Sequence, residues 1–369
     1  MRGGDRLRVV VAGGGTGGHL YPGIAVAREI RRREPAAVVT FAGTAQGLEA
    51  RILPREGFEL DLVRIGGVKG KALAARIRNV GRLPASAKDA WGVLSRRSPD
   101  VVIGLGGYSS GPVVLLAAVR RIPTLLMEQN AVPGLTNRLL ARVVTAAAVT
   151  FEATTKHFRG KAFVTGNPVR PEFLEAGRAE IAEREQRPRG ATGVLVFGGS
   201  QGAHAINVAM VAAAARLAAA PVDVVLTHQT GERDVEMVRE GYRQAGQVGR
   251  VEPYLFAMAR EMSAADLVVC RAGATTVAEI AAAARPAILV PLPTATDDHQ
   301  RRNAEVLARA GAAEVIDERD LTGDHLAERI IALAQDPDRR RQMAQAARAL
   351  ARPDAAERIV DRVLALARG

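Results

Sequence analysis

Gly13-Gly14-Gly15-Thr16-Gly17-Gly18-His19-Leu20-Tyr21-Pro22 is the stretch from which the rest of the chain can be read. The apolar run Leu7 to Ala12 before it reads as a buried parallel strand, and Ile24 to Arg33 after it as a helix with Pro22 near its first turn. Strand, glycine loop and helix in that order bring backbone close to a ligand, because glycine adopts unusual φ/ψ and has no Cβ in the way. The helix start adds free N–H groups and the positive end of a dipole, which suits an anion or a polar sugar. His19 stands at the mouth. The run formally matches G-x-G-x-x-G, but the dinucleotide reading needs an acid at the end of the second strand. Here that strand, Ala37–Ala42, is followed by Gly43-Thr44. No Walker A lysine follows the loop either, so nicotinamide-cofactor and P-loop nucleotidase readings both fall.

At 369 residues the chain is long enough for two domains with separate cores. The single cysteine, Cys270, excludes an internal disulfide and fits a reducing compartment. The N-terminus enters a strand without a hydrophobic signal segment, and no apolar run reaches the roughly 18 to 20 residues that span a bilayer. The expectation is a soluble chain, or one lying on a membrane without crossing it. The formal charge of +12 is uneven: residues 1–170 carry +15 and residues 171–369 carry −3. An asymmetry of this kind suggests that the first half meets something anionic. The stretch 64–97 holds nine basic residues and one acid, Asp89, with Leu73, Ile77 and Val80 on one helical face. It fits either a basic helix lying on an anionic membrane or a core-facing helix with a solvated basic side. Scattered histidines and a lone cysteine give no zinc spacing, and Asp336-Pro337-Asp338 reads as a helix cap before a basic helix.

Short apolar runs alternating with helical patterns mark βαβ units and parallel sheets. Strand candidates in the first half are Leu7–Ala12, Ala37–Ala42, Leu60–Ile65, Val101–Leu105, Thr124–Met127, Ala146–Val149 and Ala162–Val164. The loop Gly106-Gly107-Tyr108-Ser109-Ser110-Gly111-Pro112 repeats the opening design, and Glu128-Gln129-Asn130 ends the fifth strand with groups that suit sugar hydroxyls or a turn cap. Gly166-Asn167-Pro168-Val169-Arg170-Pro171 reads as a domain boundary, with domains at 1–168 and 169–352. The charged run Glu172 to Arg187 reads as a helix beyond it. The second half starts over: strand Gly193–Phe197, glycine loop Gly198-Gly199-Ser200-Gln201-Gly202-Ala203, helix Ile206–Leu217. Further on, a strand ends at Cys270, Arg271 to Thr275 turn the chain, and a helix capped near Thr275 or Thr276 carries Glu279. Residues 249–258 read as a loop and a helix start.

These motifs, joined by Asp298-His299-Gln300, resemble in order and spacing the MurG family, bacterial transferases that place N-acetylglucosamine on lipid I to give lipid II. The resemblance covers essentially the whole chain. It implies an α/β GT-B fold, two Rossmann-like domains facing across a cleft, with the last helix, 353–369, packing back on the first domain. It implies UDP-N-acetylglucosamine as donor, a substrate rather than a cofactor, with no divalent ion required by sequence. The implied acceptor is the undecaprenyl-diphosphate-linked muramyl pentapeptide, met at the cytoplasmic face of the plasma membrane. The 64–97 stretch then meets the anionic lipid surface, and no nucleic acid is a partner.

Carried residue by residue, Glu279 falls where the ribose is held; a surface acid offsetting a helix N-terminus is its other reading. The run Ala274-Thr275-Thr276-Val277-Ala278 and the loop Ser200-Gln201-Gly202 meet diphosphate, and Leu255 falls where backbone grips uracil. Gln300, with His299, falls at the sugar hydroxyls, after a loop, 292–298, about one residue longer than in some relatives. Arg170 offsets the UDP leaving group or forms a linker salt bridge. Asn130 and the Thr16-Gly17-Gly18 backbone complete the donor sugar site, while Thr16, His19, Tyr108, Glu128 and Asn137 face the acceptor. The expected chemistry is an inverting displacement by the muramyl 4-hydroxyl. His19 is the candidate base, since an imidazole pKa of about 6.5 suits proton transfer near neutrality; orienting a sugar or phosphate is its other role. Rival readings are another GT-B lipid glycosyltransferase, a UDP-GlcNAc epimerase and a non-catalytic UDP-sugar sensor.

Overall fold

The structure, a computed structural model, describes residues 6–64, 83–175, 188, 190–199, 201–295 and 298–369. Ser200, Leu73, Ile77, Val80 and most of the run expected as a helix over 172–187 lie outside those residues. The chain divides into two compact units, residues 1–170 with 352–369, and residues 171–351.

The first unit is built on a seven-stranded parallel sheet in the order β3-β2-β1-β4-β5-β6-β7. The strands are β1 (Arg8–Ala12), β2 (Val38–Gly43), β3 (Glu59–Leu62), β4 (Val101–Gly104), β5 (Thr124–Glu128), β6 (Ala146–Val149) and β7 (Ala162–Val164). The second unit repeats the plan with six strands, β10-β9-β8-β11-β12-β13. These are β8 (Thr192–Phe197), β9 (Val224–Gln229), β10 (Gly249–Glu252), β11 (Leu267–Cys270), β12 (Ala287–Leu289) and β13 (Ala313–Val315). The short strand β10, polar and half exposed, occupies residues expected as loop, because its ladder to β9 supplies pairing that its sequence pattern does not advertise.

Both sheets lock their central pair in the same way. Asp100, just before β4, accepts from the Arg8 N–H at 2.8 Å, and its own N–H donates to the Arg8 carbonyl. Asp266, just before β11, does the same with Gly193. An aspartate ahead of each fourth strand thus fixes the register at the seam where strand order reverses. In open α/β sheets that seam is where ligands bind.

Near-continuous Val, Ile, Leu and Ala runs fill both faces of each sheet, as parallel strands covered by helices require. In the first unit the last helix, Ala355–Arg368, packs beside the Gly17–Arg33 helix, burying Ile359, Val360 and Val363 in the core beneath β1, with an Arg33–Asp361 ion pair at the rim.

The second unit buries a polar chain in its core. Asn207 Nδ2 donates to the Thr230 carbonyl and to Asp234, which leaves Asn207 Oδ1 to accept from His228 Nε2–H at 3.0 Å. The bare His228 Nδ1 accepts from the Tyr242 hydroxyl at 2.8 Å. Burial pushes the His228 pKa down to about 3, so the ring is neutral in the native state. The unfolded chain binds a proton there below about pH 6.5 and the folded chain does not. Stability is therefore complete above that pH and falls by up to about 1.4 kcal/mol per unit as pH drops toward 3. Urea unfolding at pH 7.5 and pH 5 is expected to show this slope reduced in His228→Gln, whose amide can serve the same two partners without titrating; equal slopes would refute the assignment.

Candidate functional sites at the two switch points

In the first unit the glycine loop leaves β1 at the seam with β4. Gly13, Gly14 and Gly15 hold φ of 125°, 144° and 80°, a run that residues with a Cβ rarely adopt. The helix then begins at Gly17, not near Pro22 as expected, with Thr16 extended at its N-cap and Pro22 inside it. Pro22 forgoes only one helix bond, to Gly18. His19 consequently stands in the first helical turn.

The His19 ring lies against the loop after β4. A Cβ on Gly106 would approach His19 Cε1 to 3.3 Å, and one on Gly107 would lie 3.9 Å from Cδ2. His19 Nδ1 is 2.9 Å from Gln129 Oε1, and Gln129 Nε2 donates to the Leu105 carbonyl at 3.2 Å. Tyr108, on the same loop, is exposed. Arg170 stacks its guanidinium 4.8 Å over the ring of Tyr21, on the same helix as His19.

Glu128 is buried and its carboxylate is spent inside the protein. It accepts from the Asn130 N–H and Nδ2, the Gly134 N–H and Asn137 Nδ2, at 2.9 to 3.3 Å. Glu128 therefore braces the 130–137 loop, the turn-capping role that its place at the strand end also suggested. Asn137 is buried with it, and its Nδ2 also donates to the Met127 carbonyl.

The glycine loop is likewise braced from within, by a residue the sequence did not single out. Glu49 is fully buried and accepts from the Gly15 N–H at 2.6 Å, the Thr44 N–H at 2.8 Å and the Thr44 hydroxyl at 2.9 Å. The Gly15 N–H is thus engaged within the protein.

In the second unit a cavity of about 590 Å³ opens at the equivalent seam, between the loops after β8 and β11. It gathers Gly202, Thr276 and Gln300 of the expected set, with Gly198 and Gly199. Gly202 is tight: a Cβ there would collide with the Thr230 carbonyl. Gln229 pins the site by donating to the Gly199 carbonyl at 2.9 Å and accepting from the Leu255 N–H at 2.8 Å. The Leu255 N–H is thus engaged within the protein. The helix expected to be capped by a threonine runs Ala274–Ala283 with Gly273 at its N-cap, so Thr275 and Thr276 sit in its first turn. Thr275, Val277 and Glu279 are buried, and Ala278 is half-buried. Gln201 is exposed at the loop tip. His299 opens the His299–Arg309 helix, and its neighbour Gln300 lines the cavity. Gln300 Oε1 accepts from the Leu292 N–H at 3.1 Å, which aims its NH₂ group as the remaining donor.

Sequence reasoning missed His204 and Arg271 here. His204 Nδ1 lies 2.9 Å from Asp234. Arg271 donates to the Val290 and Pro291 carbonyls at 3.1 and 3.3 Å and pairs with Glu318. Arg271 directly follows β11, a position where a charged residue at a strand's C-terminal end is itself a signal. Elsewhere, Asp336 accepts from the Arg339 N–H at 2.8 Å and caps its helix. Among the described residues no three of His, Cys, Asp and Glu gather where a metal would sit.

Comparison with known proteins follows the same two-part plan. Residues 9–149 match the glycosyltransferase family 28 N-terminal domain, and residues 193–359 match its C-terminal domain. A curated relative from Anaeromyxobacter sp. (strain K), named UDP-N-acetylglucosamine--N-acetylmuramyl-(pentapeptide) pyrophosphoryl-undecaprenol N-acetylglucosamine transferase, is 48% identical over 98% of this chain and 94% of its own. The crystal structure of Acinetobacter baumannii MurG superposes with a TM-score of 0.77 at 31% identity, covering 97% of this chain and 99% of that one. A putative UDP-N-acetylglucosamine 2-epimerase from Listeria monocytogenes reaches a TM-score of 0.69 at 15% identity, over 97% of this chain and 96% of its own, a likeness of fold alone.

Proposed function

The chain belongs to glycosyltransferase family 28, in its MurG type, and from that premise we propose how its residues carry out the transfer. It moves N-acetylglucosamine from UDP-GlcNAc to the muramyl 4-hydroxyl of lipid I, with inversion, forming lipid II for peptidoglycan. The observation that carries the acceptor assignment is the full-length match at 48% identity, because it includes the His19 half of the chain as well as the donor half. The fold shared with the epimerase does not distinguish acceptors.

The donor belongs to the second unit's cavity. Diphosphate on the Gly198–Gly202 loop and the Ala274 helix start gains backbone N–H donors and the positive dipole end. In this reading Glu279 takes the ribose, the Leu255 backbone meets uracil, and the Gln300 NH₂ reads a sugar hydroxyl. Arg170 offsets charge on departing UDP, so the charge stabilisation comes from protein groups with no resident cofactor. The acceptor hydroxyl loses its proton to His19 as it attacks the anomeric carbon.

The membrane reading gains support from a surface outside the 64–97 stretch. Leu115 and Val119 on the Gly111–Val119 helix, Leu135 and Leu139 on the neighbouring Leu135–Leu140 helix, and Val143 are all exposed, with Arg121, Arg138 and Arg142 exposed among them. The only acid in residues 101–151 is the buried Glu128. An apolar surface ringed by arginines suits an anionic bilayer. By contrast, Arg64 is forked onto Asp89, while Arg96 and Arg97 reach Asp61, so their charge is largely paired. No described helix is long and apolar enough to cross a membrane.

The test is UDP release from UDP-GlcNAc in chelator, with and without a short-chain lipid I analogue, in anionic and in zwitterionic vesicles. Release only with acceptor, and faster on anionic vesicles, is expected. Release without acceptor would replace transfer by epimerase-like or hydrolytic turnover. Dependence on added divalent ion would overturn the metal-free step alone.

A further inference from the structure

Resting on the reading of His19 as base, we propose that Gln129 is a positioning residue that holds the His19 ring as its Nδ1–H tautomer, leaving Nε2 bare to take the acceptor's proton. The assignment follows from what each atom is able to do. The Leu105 carbonyl only accepts, so the nitrogen end of the Gln129 amide faces it, at 3.2 Å. The oxygen end then faces His19 Nδ1 at 2.9 Å. An amide oxygen also only accepts, so Nδ1 carries the proton. A neutral imidazole has one N–H, and Nε2 is left with its lone pair.

The relay is rigid because its anchor is rigid. Leu105 is fully buried, and its own N–H donates to the Ala12 carbonyl at 2.8 Å, across the β1–β4 seam. Gly23 has no Cβ where the Leu105 side chain packs, which lets the His19 helix close onto it. Gln129 is 2% exposed, so bulk water does not compete for the pair. Gly106 and Gly107 flank the ring and leave it room to lie flat in the loop. The polar group that orients the ring is neutral, where a carboxylate often does that work. The sheet seam thus dictates, through one amide, which imidazole nitrogen is basic.

The experiment is nitrogen-15 NMR of imidazole-labelled full-length protein, with the His19 signals identified by their loss in His19→Ala. It is paired with steady-state kinetics on UDP-GlcNAc and a short-chain lipid I analogue. Wild type is expected to show Nδ1 protonated and Nε2 bare at neutral pH. Gln129→Met, close in volume and without an acceptor, is expected to mix the tautomers and to lower kcat roughly 10- to 100-fold, with the donor KM within about twofold. A merely structural role would not move the tautomer. Nε2–H in wild type, read without any variant, overturns the proposal, as does an unchanged tautomer in Gln129→Met. A lost tautomer with kcat unchanged removes His19 from proton transfer while leaving the tautomer lock standing, so failure of the base reading is told apart from failure of the relay.

Discussion

His19→Ala is expected to lower kcat for transfer by roughly 10²- to 10⁴-fold, the range a well-placed general base supplies. Donor binding should be nearly untouched. The reason is the division of labour between the units. His19 belongs to the first unit and contacts Gln129 and the Gly106 loop. The cavity proposed for the donor is lined by second-unit residues such as Gly202, Thr276 and Gln300. Losing an interaction made only in the transition state lowers kcat and kcat/KM equally, whereas losing an interaction with bound substrate raises KM. Gln300→Ala should therefore behave in the opposite sense, raising the KM for UDP-GlcNAc with a smaller effect on kcat. Equilibrium UDP-GlcNAc binding alongside steady-state kinetics separates the two. If His19→Ala instead raised the acceptor KM with kcat preserved, the ring would be an orienting contact, and the base would have to be sought elsewhere on the first unit.

The division into two sheets was legible because parallel strands buried on both faces advertise themselves as apolar runs. Strands β6 and β7 begin and end where their runs do, while β10 and β13, each interrupted by charged residues, exist through pairing with neighbours that no local pattern encodes. The sites were legible to the extent that they are glycine loops. Gly13 to Gly18 and Gly198 to Gly202 announce close backbone approach, and the structure puts each at a switch point. What the sequence hides is the bracing behind them. Gln129, Gln229, Glu49 and Arg271 are polar residues whose meaning lies in partners 19 to 110 positions away. Spacing rules reach i+3 or i+4 on a helix and i+2 on a strand. A contact formed only when two loops fold together leaves no such period. The same limit explains Glu128: its type and place suggested a ligand contact, while its fourfold internal capping depends on where the 130–137 loop turns.

Glu49→Ala carries the largest expected loss of stability. Truncation removes the acceptor for three partly buried donors, the N–H groups of Gly15 and Thr44 and the Thr44 hydroxyl, and empties a position whose own side chain is fully buried. An orphaned buried donor costs about 1 to 3 kcal/mol, so even with partial relaxation the total should be about 3 kcal/mol. Glu49→Gln should lose roughly half as much, because one amide oxygen can still serve Thr44 or Gly15 but not both. Trp91, the chain's one tryptophan, lies in the first unit, so its fluorescence in urea follows that unit alone and avoids treating a two-unit chain as two-state. An unchanged midpoint would mean that Gly15 and Thr44 find other partners and that Glu49 braces nothing. The chemical consequence is as large as the energetic one. A glycine loop at a helix start ordinarily invites phosphate. Here a carboxylate already sits on the Gly15 N–H, so that donor is taken before any ligand arrives. The second loop, beside its cavity, is the one proposed above to seat diphosphate. Two copies of one strand–loop–helix design thus differ in how they are braced from within, and the brace of the first is an acid 34 positions beyond Gly15.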